Sequence, residues 1–507
     1  MEKHSDAAIS AGRGVIWITA AKLYFIIGGY AIFFILPRIF DPSLFGVYSL
    51  VVMAVSFIDN AIITGTIQAV SRFTTRGDEH VEGAKRTGLK VQGLLGLGIA
   101  AVYALGAGPI ATHLLGSPGL APYMRLSSLI IVFYSCYAVF IGSFNGRRQF
   151  HKQAILDMTF TTLRAGAIVG FAAIGWGVGG AVGGFAAAAF LIMGIAAGVV
   201  GWHQPIDGPT GREYASFAFA LMLYTLIVNL VLSIDLYFLQ GMSSRAAIAS
   251  GLAPDAAEKV SNALSGQYKA VQVFAFIPYQ LIISVTFVVF PLVSRSTYLK
   301  DQEATRETVR QTMRFALVVI AGFAAVLSAN PKPILALIYR SEYWAAAPAL
   351  RILAWGIAAF GLMTVASTIL NGAGLAREAL LVATVTLILV CLFQLAFLSG
   401  APADTQALTA TAWASTAGMT LGLLISGGVL YRKLRAFWAW SSVIRTAIAV
   451  AAAMAVGILI PDRSKLMTLV ECIAVFGVYV AVLAILREFK ASELVFLKRL
   501  VGLKKAS

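Results

Sequence analysis

At 507 residues, 59% hydrophobic and only 12% charged, with a mean hydropathy of +0.83, the chain carries about half the charge of a soluble protein and reads as an all-α, polytopic membrane protein. Its net charge of +16 does not imply nucleic acid, because most of the 39 Lys and Arg fall in links between apolar runs, where anionic lipid is the natural partner. Cys136, Cys391 and Cys472 all lie inside apolar runs, which excludes a disulfide framework and a metal cluster; without a GxxxxGKS/T loop, neither nucleotide hydrolysis nor any cofactor is expected.

Fourteen runs of about 20 apolar residues, the length a bilayer core requires, can be placed along the chain. They fall at 15–36, 45–67, 88–108, 122–144, 155–175, 178–200, 215–240, 264–293, 312–336, 345–370, 377–399, 405–430, 441–460 and 466–486. The bias of Lys and Arg toward one set of links predicts that both termini are cytoplasmic. The first run follows a polar head and carries Lys22, so it reads as a retained span and not a cleaved leader. It ends in LPRIFDP, where Pro37 and Pro42 break the helix and Arg38 sits at the outer interface. Spans 5 and 6 meet in GWGVGGAVGGFAAAAF, whose small residues suit a tight hairpin. Between spans 7 and 8 the expected connection is the longest outer loop, roughly 241–263, with a short Ala-rich surface helix. Spans 13 and 14 have no counterpart elsewhere, and the tail after them alternates apolar and basic groups as an interfacial amphipathic helix would.

The chain contains one stretch twice. Pro122–Gly146, PYMRLSSLIIVFYSCYAVFIGSFNG, lies without a gap on Pro348–Gly372, PALRILAWGIAAFGLMTVASTILNG. Pro122 falls on Pro348, Arg125 on Arg351, and Asn145-Gly146 on Asn371-Gly372. Gly46-Val-Tyr48 and Gly266-Gln-Tyr268 form a second match. The pattern predicts two parallel six-helix repeats: an N-lobe at 1–203 and a C-lobe at 204–436, followed by a helix pair and basic tail at 437–507.

An ionisable side chain inside the bilayer costs roughly 2.5–3.5 kcal/mol on insertion scales, so each needs a reason. Lys22 and Asp59 fall at similar depth on neighbouring spans and either pair or line a wet cavity. Arg164 sits near the middle of span 5, where a guanidinium must face the bundle interior and is suited to a phosphate. Ser49, Ser56, Asn60 and Thr64 share one face of span 2; Lys269, Gln272, Gln280 and Ser284 form a matching stripe on span 8. Asp235 and Asn229 form a further polar pair on span 7. Interhelical hydrogen bonding is the plainer role for any one Ser or Thr, whereas the paired stripes with Lys269 favour a cavity.

Four segments then resemble the polysaccharide flippases of the multidrug/oligosaccharidyl-lipid/polysaccharide exporter superfamily: LPRIFDPSLFGVYSL, SIDLYFL with GQYKAVQVFAFIPYQL, IYRSEYWAAAPALRIL, and ILNGAGLAREA. The resemblance implies a transporter and not an enzyme, located in a bacterial inner membrane. Its implied cargo is a polyprenyl-pyrophosphate-linked oligosaccharide, moved by alternating access of two lobes around a cationic cavity. Lys22, Arg38, Arg164, Lys269, Asn60, Gln272 and Gln280 are the expected substrate-binding residues; Asp59 and Asp235 are expected to couple transport to Na+ or H+. Polysaccharide-assembly proteins are implied partners. A lipid II flippase, a multidrug/cation antiporter and a membrane polymerase or glycosyltransferase are the competing readings.

Overall fold

The computed structural model describes residues 2–74, 78–204, 207–298, 301–437, 439–460 and 464–489. The basic end of the tail and the side chain of Ser284 lie outside the described residues. All regular elements among the described residues are helical. In order they are α1 (Glu2–Ile39), α2 (Pro42–Thr74), α3 (Asp78–Pro109), α4 (Ala121–Gly146), α5 (Phe150–Phe171), α6 (Gly177–Val200), α7 (Gly211–Val231), α8 (Ile234–Ala249) and α9 (Pro254–Ala275). There follow α10 (Ile277–Tyr298), α11 (Gln302–Ala329), α12 (Pro331–Ile338), α13 (Ala347–Gly372), α14 (Ala376–Leu398), α15 (Thr405–Leu434), α16 (Trp440–Leu459) and α17 (Lys465–Ile485).

Among the described residues, twelve segments are long and apolar enough to cross a membrane, against the fourteen spans expected. Part of the difference is that Phe150–Val200 counts as one segment although it holds two helices, α5 and α6, which pack against each other as a hairpin. The rest lies where spans 7 and 8 were expected. α7 stops at Val231 and α8 restarts at Ile234, while α9 and α10 break at Phe276.

The expected loop at 241–263 is corrected by the structure: α8 runs to Ala249, α9 starts at Pro254, and only four residues connect them. Local chemistry explains the turn. Gly251 has φ +93°, its N–H donates to Ile248 O at 3.0 Å, and Leu252 N–H donates to Ala247 O at 3.2 Å. This is the paired bonding of a Schellman cap, which needs a left-handed residue that Gly supplies without steric cost. Pro254 then occupies the first turn of α9, where its missing N–H is not needed. The polarity that looked loop-like is used inside. Gln240 Nε2 donates to Ser261 Oγ and Asn262 Oδ1, both at 2.9 Å; Ser265 Oγ donates to Gln240 Oε1 at 2.8 Å; Ser117 Oγ donates to Glu258 Oε1 at 2.6 Å.

The chain divides into two compact units, Met1–Lys269 with Leu398–Ala407, and Ala270–Phe397 with Leu408–Ser507. In the first, α2 packs on α4 and α7, α4 on α3 and α6, and α1 on α5. A core of Ala69, Val70, Phe73, Val139, Tyr214 and Met222 joins α2, α4 and α7. One contact there leaves no room for side chains. A Cβ on Gly46 would stand 2.9 Å from Gly266 N, one on Gly266 would stand 2.9 Å from Gly46 N, and each would overlap a main-chain carbonyl of the other helix, Asn262 O or Pro42 O. Only Gly at both positions allows α2 and α9 to touch backbone to backbone. In the second unit, α11 packs on α10, α13 and α16, and α16 on α17, around Ala329, Ala449, Val475 and Tyr479.

Candidate functional site

Besides the buried Glu82–Lys85 ion pair at 2.7 Å, three couples of a cation and a carboxylate lie on different helices of the first unit; Asp59, Asp235 and Lys269 are buried, Arg164 and Asp157 half-buried and Lys22 exposed. The first arises at the α7–α8 break. Ser233 N–H turns back to Leu230 O at 3.0 Å, which places Asp235 in the first turn of α8, where an acid meets the positive end of the helix. Asp235 is 1% exposed; its Oδ1 accepts Leu236 N–H at 2.9 Å and its Oδ2 accepts Tyr268 O–H at 2.8 Å. Lys269, the next residue on α9, is 5% exposed and feels the charge of Asp235. Its ammonium lies 3.1 Å from Met53 Sδ and 4.9 Å from the centre of the Phe33 ring. A thioether and a ring face are soft partners for an ammonium, weaker than water or carboxylate oxygen.

Arg164 and Asp59 form the second couple. The guanidinium carbon sits 4.7 Å from the Phe25 ring centre and 5.6 Å from those of Phe160 and Phe185, so α1, α5 and α6 together enclose it in phenyl groups. Asp59 is 3% exposed, and its charge and that of Arg164 act on each other. Neither oxygen of Asp59 nor Nε of Arg164 has a hydrogen-bond partner among the described residues. Buried polar atoms are normally satisfied, so this couple is held by attraction at a distance and not by contact.

The third couple sets Lys22 of α1 against Asp157 of α5, two helices that pack together. Tyr24 O–H and Thr162 Oγ1, 2.9 Å apart, hold the two helices together nearby. Tyr137 O–H donates to Asp157 Oδ1 at 3.0 Å, while the Lys22 side chain is exposed. From the sequence, Lys22 and Asp59 either pair or line a wet cavity; the packing of α1 on α5 also brings Asp157 and Arg164 to the helix beside Lys22. Asp157 was missed, although it lies inside the expected fifth span, seven residues before Arg164 and on the same helical face.

The remaining expected residues are more dispersed. Asn60 is exposed, and its Nδ2 donates to Asn229 Oδ1 at 3.3 Å. Arg38 is exposed in the last turn of α1. Ser49 is fully buried. Gln272 and Gln280 belong to the second unit, the first fully buried and the second half-buried. The repeated arginines act on helix ends: Arg351 Nε donates to Ser328 O at 3.0 Å and its Nη2 to Ala329 O at 3.2 Å, capping α11, while Arg125 Nη2 lies beside Gly108 near the end of α3. No group of three or more His, Cys, Asp or Glu suited to a metal occurs among the described residues.

Long apolar helices define a polytopic membrane protein, and solved structures share its fold. The lipid II flippase MurJ, in an inward closed conformation, matches with a TM-score of 0.72 at 14% identity, over 93% of this chain and 98% of that one. A MOP superfamily transporter from Pyrococcus furiosus, described for the reverse polarity of its binding pocket, matches at 0.60 and 15% identity over 84% and 95%. An inward-facing multidrug resistance MATE transporter matches at 0.61 and 15% over 82% and 95%. No curated protein matches at the sequence level. The chain belongs to the polysaccharide biosynthesis protein family, which matches residues 11–297, more than half its length; the MatE family matches residues 259–395. Its fold is the one those transporters share.

Proposed function

We propose that the chain flips a polyprenyl-pyrophosphate-linked oligosaccharide, a repeat unit of cell-surface polysaccharide, from the inner to the outer leaflet of a bacterial inner membrane. The observation that carries this reading is the set of three cations inside apolar helices, Lys22, Arg164 and Lys269, in a chain of a polysaccharide biosynthesis family. A pyrophosphate cannot cross roughly 30 Å of hydrocarbon unless fixed cations in a wet cleft replace its water. Lys offers a point charge and Arg a planar fork, so the two serve different parts of the head group. In this reading Arg38, Asn60, Gln272 and Gln280 add contacts to head group and sugar, and Asp59 and Asp235 respond to a coupling Na+ or H+. Lipids and polysaccharide-assembly proteins are its partners.

The mechanism is alternating access by two six-helix lobes, 1–203 and 204–436, with 437–507 appended and both termini cytoplasmic. Support for the repeat comes from Gly46 and Gly266, matched by the sequence alignment and meeting face to face, and from Arg125 and Arg351, each at the end of the preceding long helix. Superposing the halves should bring Arg125 onto Arg351 on the same membrane face. The similarity to a lipid II flippase over nearly the whole chain makes lipid II the second candidate cargo. Cations on three helices disfavour a cationic drug.

The deciding experiment is translocation of defined lipid-linked sugars in proteoliposomes. Lys22→Ala, Arg164→Ala and Lys269→Ala should each reduce transport to background with expression and insertion intact. Wild-type rates in all three variants would end the cationic mechanism for this chain.

A further inference from the structure

The second unit holds a cavity whose residues the proposed transport path does not use. It lies at a membrane face, in the connection between two segments long enough to cross, Gln302–Ala329 and Ser341–Gly372. Its volume is about 780 Å³, inside the roughly 300–1,000 Å³ range of small-molecule sites. The wall comes from the start of α12, a 3-10 turn at Ser341–Ala346 and the first turns of α13. Trp344 is fixed in that wall: its Nε1 donates to Tyr339 O at 3.0 Å, and the buried Tyr339 and Tyr343 beside it pack with ring centres 5.3 Å apart. Asn330 ties the lining to α16 and α17, its Nδ2 donating to Gly457 O at 2.6 Å and to Glu471 Oε1.

The charge of the lining is one-sided. Lys332 and Arg351 contribute to it, and no Asp or Glu does so among the described residues. Glu342, in the same turn as Trp344, stands 4.0 Å from Arg340, and the buried Glu471 accepts from Asn330. Lys332 is exposed, its ammonium 5.9 Å from the centre of the Trp344 ring, at the outer limit of about 6 Å for cation–π attraction. So weak a hold lets the ammonium turn to an anion. Arg351 uses Nε and one N–H of Nη2 to cap α11, and the rest of its five donors stay available to a ligand.

We propose that this cavity binds an acidic sugar, a pyranose bearing a carboxylate, with Trp344 as the stacking face and Lys332 and Arg351 as the partners of the anion. The C–H face of a pyranose is apolar and slightly positive, and it packs on the negative face of an indole. A guanidinium fork matches the two oxygens of a carboxylate. Ser341, exposed at the rim, adds a hydroxyl that donates or accepts as the ring hydroxyls require. A phospholipid fits less well: apart from the indole, the apolar lining is proline, alanine and the single isoleucine Ile352, which gives acyl chains no groove. The inference takes from the proposed function only that the chain handles glycans. In the orientation proposed there, the cavity faces the outer side, where a delivered sugar emerges.

The test uses the purified full chain in phosphatidylcholine nanodiscs, with glucuronate and glucose as probes read by saturation-transfer difference NMR. Glucuronate should bind saturably, and glucose about fivefold more weakly. Lys332→Gln should weaken glucuronate about fivefold and leave glucose unchanged, while Lys332→Arg keeps the wild-type preference. Trp344→Leu should weaken both sugars, by up to about tenfold. Absence of glucuronate binding in wild type overturns the site, as does equal binding in wild type, Lys332→Gln and Trp344→Leu. Preferential retention of phosphatidylglycerol by the chain, lost in Lys332→Gln and unaccompanied by glucuronate binding, assigns the cavity to a lipid head group and overturns the sugar. Transport of lipid-linked sugars without glucuronate binding overturns the cavity and spares the flippase reading; glucuronate binding without that transport does the reverse.

Discussion

Among the described residues, the buried carboxylates Glu488 and Asp59 stand in opposite relations to arginine, Glu488 (like Glu82 with Lys85 and Arg86) in direct contact and Asp59 without it. At the end of α17 in the second unit, Glu488 is 2% exposed and fully engaged. Arg314 Nε contacts its Oε1 at 2.7 Å, Arg445 Nη1 contacts its Oε2 at 3.1 Å, and Arg314 Nη2 also donates to its main-chain carbonyl. In the first unit, Asp59 has no hydrogen-bond partner among the described residues and reaches Arg164 only through charge. Contact distance separates two functions. Glu488 is built to stay, since its forked contacts tie α11, α16 and the end of α17 into one block. Asp59 has no such contact, which suits the proposed role of Arg164 as a charge offered to cargo.

The sharpest way to break this contrast is through transport. Arg164→Ala should abolish it, and adding Asp59→Asn should not rescue it, measured as lipid-linked sugar translocation in proteoliposomes. If the double variant regains both stability and transport, the couple is a structural pair like that of Glu488. Arg164→Lys should also lose activity, because an ammonium cannot replace a planar fork inside the phenyl cage.

Stability should behave the other way round. Glu488→Ala removes the carboxylate that both guanidiniums share and should cost about 3–5 kcal/mol, read as a fall in melting temperature, with transport per folded molecule unchanged. Acid offers a milder form of the same loss. Burial pushes the Glu488 carboxyl up, but hydrogen bonds from Ser442, Arg314 and Arg445 outweigh it and hold the group below the usual carboxylate range. A carboxylate lowered on folding adds stability above its unfolded pKa, and that gain disappears as pH falls through the folded value. Thermal unfolding should therefore worsen below about pH 4, and the slope should flatten in Glu488→Gln.

The smallest structural effect belongs to the acids proposed to couple transport to an ion. Asp59→Asn should change stability by less than about 1 kcal/mol, since no hydrogen bond is lost, yet transport should lose its dependence on the ion gradient. Unchanged gradient dependence in both Asp59→Asn and Asp235→Asn would leave these residues a structural role only.

Most of this fold is legible in sequence because a bilayer imposes a length on every span, and runs such as 122–144 and 345–370 have it. The connection at 241–263 was misread because Ser, Asn and Glu there looked like water-facing polarity. They turn inward to bond one another, which hydropathy alone cannot reveal. The cations were legible for a simple reason: charge in an apolar run is conspicuous. Their partners were less so. Asp157 lay in view on the face of Arg164, but assigning it to Lys22 needs the packing of α1 on α5. The phenyl cage around Arg164 was beyond reach, because Phe25, Phe160 and Phe185 come from three helices whose rotations only the packed structure sets.

The meeting of Gly46 and Gly266 has a further consequence. Most helix spacings in a membrane are set by side chains, which repack when temperature, lipid length or lateral pressure changes. Here the gap is set by peptide groups in contact, and their dimensions do not respond to the surroundings. The crossing of α2 and α9 is therefore a gauge point set by the main chain, with Tyr48 and Tyr268 two residues further along each helix.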